Sequence, residues 1–363
     1  MNFQLSTINF QLISLEETHL KNLRKSTIII ALLAALIISS GCEGEISAVN
    51  GSEISSSSIE TSSESSSLPE SSSEPEIIIE PKEEISEPEP ILEPVFHISS
   101  NEVQRGSYFI IRAENIDLSD FSFIDFLDYK REFIGIDGGW VCIVPVMMEA
   151  EAGNYNLTFH VGDYEFNEDI TVTERTVHKQ YLEVAPATLQ QTIDDAEVRA
   201  AFNDFYQKYR WYNTGIKFWK GEFIAPLGDS WYKETTKYGT FRTFSNGKTE
   251  WHNATDMGVG GGTPIYATNS GVVLFSDYLG VSGNTVIINH GMGVLSWHYH
   301  MSSRKVSVGD RVEKGDFIGR VGTTGLSTGN HLHFGISVGG MFVDPMQMVG
   351  SEPDIDFWKE SIE

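Results

Sequence analysis

The stretch Gly329-Asn-His331-Leu-His333-Phe-Gly-Ile-Ser-Val338 alternates in character as a β-strand does, and Ser327-Thr-Gly-Asn330 ahead of it has turn chemistry. Side chains two apart on a strand leave the same face, so His331 and His333 point together while Leu332 packs behind them. Short apolar runs of the same kind recur upstream. They are punctuated by Gly258, Gly271, Gly291, Gly319 and other glycines, as tight turns in a compact β fold require. The expected fold class is therefore mainly β.

The chain has ten histidines, and six of them lie between residues 252 and 333. With one aspartate, four of these fall in three clusters: His252-Asn-Ala-Thr-Asp256, His300 and His331-Leu-His333. Zn²⁺ prefers imidazole nitrogen and carboxylate oxygen, and a catalytic zinc takes three protein ligands and keeps its fourth position for water. His252, Asp256 and one histidine of the HLH pair supply such a set, leaving the other to face a substrate. His252 and Asp256 stand four apart, but Gly258, Gly260, Gly261 and Gly262 follow, which predicts a loop entering a strand rather than a helix. The glutamate of the HExxH helix is absent, so another group must handle protons.

These clusters, set within "GTPIYATNSGVV", "GNTVIINHGMGVLSWHYHMS", "VSVGDRVEKGDFIGRVGTTGLSTGNHLHFGI" and "VDP", resemble the lysostaphin-type (M23) zinc endopeptidases over roughly residues 221–349. The resemblance implies His252, Asp256 and His333 as zinc ligands. It implies His300 and His331 as the catalytic histidines that orient or deprotonate water and stabilise the tetrahedral intermediate, without deciding which is the base. General acid–base help of this kind contributes about 10²–10⁴-fold in rate. The chain departs from the family's pattern at Ala254, where a glycine is usual, at His298, where an aromatic is usual, and at Phe244, where a tyrosine is frequent. His290, in "INHGMG", is expected to be structural, His298 either to support the site or simply to pack, and Asp344 to anchor a turn.

Toward the N-terminus, Lys21, Arg24 and Lys25 precede an apolar run, Ile28–Ile38, and then Ser39-Ser-Gly-Cys42. A positive flank and a run well short of the ~20 residues a spanning helix needs predict an export signal. Cys42 resembles a lipobox cysteine, which implies lipid anchoring at the outer face of the bacterial cytoplasmic membrane or in the cell envelope. Residues 43–94 hold 14 Glu against one Lys and no aromatic side chain, half of the net charge of −26. Such a tract cannot bury enough apolar surface to order itself and is expected to be a disordered tether. Residues 222–349 carry ten acids and nine bases, so the acidity says little about a substrate groove. No nucleic-acid partner is expected.

The runs "YFIIRAENI", "WVCIVPVMM", "NYNLTFHV" and "EDITVTE" predict a small β-sandwich, with Cys142 a buried apolar residue that lacks a disulfide partner. Helical spacing over Gln190–Arg210 predicts one helix whose stripe of Phe202, Phe205, Tyr206 and Tyr209 is core. The expected order is signal 1–42, tether 43–94, sandwich 95–175, helical connector 176–220, peptidase domain 221–350 and tail 351–363. The expected function is zinc-dependent hydrolysis of amide bonds in peptidoglycan peptides. The rival is a non-catalytic wall-binding or amidase-activating protein on the same fold.

Overall fold

A computed structural model describes residues 92–116, 122–162 and 164–357. The expected signal, Cys42 and almost all of the acidic tract lie outside these residues. No helix among the described residues is long and apolar enough to cross a membrane.

Nine strands come first: β1 (Val95–Ile98), β2 (Glu102–Gln104), β3 (Tyr108–Glu114), β4 (Phe123–Phe126), β5 (Tyr129–Glu132), β6 (Ile134–Ile136), β7 (Gly139–Pro145), β8 (Gly153–Val161) and β9 (Tyr164–Thr173). They form two sheets, ordered β1-β3-β7-β6 and β2-β9-β8-β4-β5. Between them lies a core that includes Phe109, Ile111, Cys142, Leu157, Phe159 and Ile170. Burial in that core pushes the Cys142 thiol up to about 12. The near-continuous apolar runs of β3 and β7 have a second cause. Ile110, Val141 and Ile143 leave the opposite face and join the core of the C-terminal domain, so both faces of these strands are buried.

The connector holds β10 (Lys179–Leu182), α1 (Pro186–Gln191) and α2 (Ala196–Arg210). The single helix expected over Gln190–Arg210 is interrupted at residues 192–195. There the Asp195 carboxylate accepts from the Glu197 and Val198 amides and caps a new helix start. The aromatic stripe of α2 packs on the sheet, with Tyr206 stacked on Phe342 and Phe205 edge-on to Phe275. The connector is thus more than helical, since β10 pairs in parallel with a strand of the next domain.

That domain contains β11 (Lys233–Thr236), β12 (Phe241–Phe244), β13 (Thr249–Trp251), β14 (Thr255–Gly258), β15 (Pro264–Tyr266), β16 (Gly271–Leu279), β17 (Gly283–Gly291), β18 (Val294–Met301), β19 (Ser303–Arg304), β20 (Arg311–Val312), β21 (Phe317–Arg320), β22 (His331–Val338) and β23 (Met341–Val343). The main sheet runs β11-β14-β22-β18-β17-β16-β20, with β23 beside β22. Smaller sheets, β10-β12-β13 and β15-β21-β19, flank it. Gly291 ends β17 at φ +93°, where a Cβ would stand 1.7 Å from the Ile216 carbonyl oxygen. Glycine is required there because the end of the connector is bridged to the sheet at that residue.

Candidate metal centre

Three strands bring the candidate residues into one row. Asp256 on β14 is the register partner of His333 on β22, which is in turn the partner of Tyr299 on β18. Leu332 is fully buried in the core on the other face, so the alternation of the HLH segment sets both imidazoles toward the site. His252 arrives from the end of β13, with its backbone paired to Thr240 and Gly239. Asp256 was expected on a loop and sits within β14 instead, where pairing with β22 places it more firmly than a loop would.

His252 Nε2, His333 Nδ1 and an Asp256 oxygen lie within 4.8 Å of one another. His252 Nε2 and His333 Nδ1 are 3.1 Å apart, and each is 3.0 Å from Asp256 Oδ1. The His252 Nδ1–H donates to the Lys237 carbonyl at 3.1 Å, so Nε2 is left with a lone pair. Burial lowers the basicity of His252, and burial likewise takes His333 down to about 4, so both rings are neutral near pH 7. Burial by itself would raise the Asp256 carboxyl, but its contacts with His252 and His333 outweigh that and hold it well below the usual range.

A bare imidazole nitrogen therefore faces a carboxylate oxygen in a site where Asp256 is 4 % exposed. His252 Nε2 and the carboxylate are both acceptors, so they are satisfied only by a proton on His333 Nδ1 or by a cation among the three atoms. Ligands at 2.0–2.2 Å in tetrahedral array stand about 3.3 Å from each other, close to the observed spacing. The donor set fits a divalent metal.

The other two histidines border the same point. The His300 Nδ1–H donates to the Thr324 carbonyl at 2.7 Å, and His331 Nδ1–H to the Gly329 carbonyl at 2.8 Å, so both turn Nε2 the other way. The His331 Nε2 stands 3.7 Å from Asp256 Oδ1, and the rings of His300 and His331 are 4.8 Å apart. Burial, then the neighbouring His331 and His333, holds His300 well below its ordinary value and keeps it neutral. His300 adopts φ +60°, unusual for a residue with a side chain, and so stores backbone strain at the end of β18.

Two cavities flank the cluster, of about 190 Å³ and about 300 Å³. The first is walled by Asp256, His300 and His331 together with Gln180, Leu182 and Val184 of the connector. Leu182, Val184, Leu189 and Ile193 pack with Phe244 on one side and with Val281 and Leu326 on the other. Phe244 is thus part of an apolar wall and brings no hydroxyl to the site. The second cavity lies between α2 and the residues His252, Tyr299 and His333.

Sequence reasoning missed several members of the site. Tyr299 stacks flat on His333, with centroids 5.0 Å apart and planes at 1°. Arg242 donates through Nη2 to Asp256 Oδ2. Their only local signal was an aromatic and a cation on strands of the right domain, which many residues share. His290 is structural: its Nδ1–H donates to the Ser270 carbonyl and its Nε2 accepts from Ser296. His298 is packed on Phe334, with Nδ1 against the Val286 carbonyl. Asp344 caps the turn at Pro345–Gln347 and receives Arg175.

Residues 250–345 match the model of Peptidase family M23. This segment is a Peptidase family M23 domain. The chain is 39% identical over 99 residues to peptidoglycan DD-endopeptidase ShyC of Vibrio cholerae, covering 27% of this chain and 23% of that protein. It is 36% identical over 104 residues to DD-carboxypeptidase/endopeptidase Mpg of Neisseria meningitidis, covering 29% of this chain and 24% of that one. The chain thus spans about a quarter of the length of these curated relatives. Among solved structures it is similar to the catalytic domain of lysostaphin from Staphylococcus simulans, with 32% identity, TM-score 0.30, and coverage of 33% of this chain and 93% of that one. Arg242 and Gln180, described above, lie outside the matched segment.

Proposed function

We propose that the M23 domain is a zinc endopeptidase that hydrolyses amide bonds in peptidoglycan peptides. The observation that carries this reading is the convergence of His252 Nε2, His333 Nδ1 and an Asp256 oxygen, three ligand atoms of metal-binding type within 4.8 Å of one another. Zinc held by these three would supply a Lewis acid that polarises a carbonyl and acidifies water. Relatives named as peptidoglycan endopeptidases support the substrate class.

His300 and His331 do the proton work. Each carries its proton on Nδ1, tied to a carbonyl, and so presents a lone pair on Nε2 toward the cluster. Either ring can take a proton from the attacking water. Once protonated it can donate to the developing oxyanion or to the departing amine. Tyr299 holds the plane of His333, and Arg242 occupies Oδ2 of Asp256, leaving Oδ1 for the ion.

Chelation should abolish release of peptide products from purified peptidoglycan by the full chain, as read by mass spectrometry, and added zinc should restore it. Equal release by the metal-free protein contradicts the reading. Stoichiometric zinc with no cleavage of any wall preparation favours a wall-binding role instead. The same reading places the domain outside the cytoplasmic membrane, held by lipid on Cys42. Metabolic labelling with palmitate should mark the wild-type chain and not Cys42→Ala, and equal labelling of both rejects that anchor.

A further inference from the structure

Arg242 is gripped at both edges of its guanidinium. Its Nη2 donates to Asp256 Oδ2, and its Nε donates to Gln180 Oε1 at 3.0 Å. Gln180 belongs to β10, in the connector and well before the family match begins. The parallel pairing of β10 with β12 makes Gln180 the register partner of Arg242. The Thr236 hydroxyl stands against both atoms of the Gln180 amide, 3.2 Å from Nε2 and 3.3 Å from Oε1.

The arginine has a competing place to go. Glu250 Oε1 lies 3.9 Å from Nη1, on the more exposed side, while Arg242 itself is buried. An arginine has many rotamers, and a buried Nε–H without an acceptor favours those that reach solvent or Glu250. If it moved, Asp256 would lose its partner at Oδ2 and could rotate Oδ1 away from the two imidazoles. Losing a partner that orients a metal ligand typically costs about 10–100-fold in metal affinity.

We propose that Gln180 is a positioning residue for the metal site: it holds Arg242 by Nε, so that Arg242 holds Asp256 by Oδ2 and leaves Oδ1 for the ion. The connector is then part of the metal site and not only a link between domains. This rests on the metal-site reading of the previous subsection.

The test is zinc titration of the full chain against a chromophoric chelator. Gln180→Met keeps the side chain's length and removes the acceptor, whereas Gln180→Glu keeps the acceptor. The dissociation constant should rise about 10–100-fold in the Met variant and return to within about threefold in the Glu variant. In an Arg242→Lys background, which lacks the Nε–H, Gln180→Met should change nothing further. Wild-type affinity in Gln180→Met overturns the proposal and leaves the metal-site reading intact, provided Asp256→Ala loses zinc. Equal weakening in the Met and Glu variants overturns it too, because the loss then comes from β10 docking. Should Gln180→Met fail to fold, the Glu variant decides alone, since a large loss of affinity there contradicts the role. Absence of zinc binding by the wild type defeats the underlying reading, and the proposal with it.

Discussion

His300 and His331 are distinguished by what their Nδ1 atoms touch rather than by position in the chain. Both are tied to backbone carbonyls, and only His300 adopts a left-handed backbone. Removing either imidazole should lower kcat/KM on peptidoglycan fragments by about 10²–10⁴-fold while leaving zinc content unchanged. Loss of zinc from His300→Ala or His331→Ala, measured by atomic absorption, would instead make that residue a ligand. His252, His333 and Asp256, which the structure brings together, were legible as a candidate set from residue type, spacing and a family resemblance. Tyr299, Arg242 and Gln180 were not, because each acquires its role through a cross-strand register that no local pattern encodes.

Elements carry the next set of consequences. The helical period of α2 identified its aromatic face as core, and the structure places that face on Trp297, Phe275 and Phe342. Its start was misjudged because Ile193 and Leu189 keep an apolar rhythm across a break that Asp195 caps. A fragment beginning at Gly221 has neither α2 nor β10, so it exposes those rings and leaves β12 without its parallel neighbour. Burying each large side chain is worth about 1.5–3 kcal/mol, so the loss amounts to several kcal/mol. Residues 221–357 should therefore melt lower than residues 178–357 and self-associate, as seen by calorimetry and size-exclusion chromatography. Matching melting curves and a monomeric short fragment would show that the connector contributes no stability.

Across the molecule, two cores are joined through β3 and β7, whose alternate side chains enter the sandwich on one side and the M23 domain on the other. Buried neutral histidines give this body a pH dependence. Burial lowers His290 from an ordinary 6.5 to about 4 and His298 to about 3. At these two rings the folded state thus binds fewer protons than the unfolded chain, so their contribution to stability is full above about pH 6.5 and falls as pH drops toward 4. His290 alone accounts for up to about 3 kcal/mol of that loss. Urea unfolding at pH 7 and pH 4.5 should show a smaller acid penalty for His290→Gln than for the wild type, even though the variant is weaker at both. An unchanged penalty would assign the acid sensitivity elsewhere.

The mainly β class, the sandwich strands, the five residues of the cluster and the acidic tract were all readable along the chain, because periodicity, composition and residue chemistry are local properties. Which lone pairs face one another, which carbonyl holds each ring, and how a connector strand reaches an aspartate through an arginine depend on strands distant in sequence being laid side by side. Sheet pairing is a non-local interaction, and its register, one residue either way, reverses every side chain from site to core.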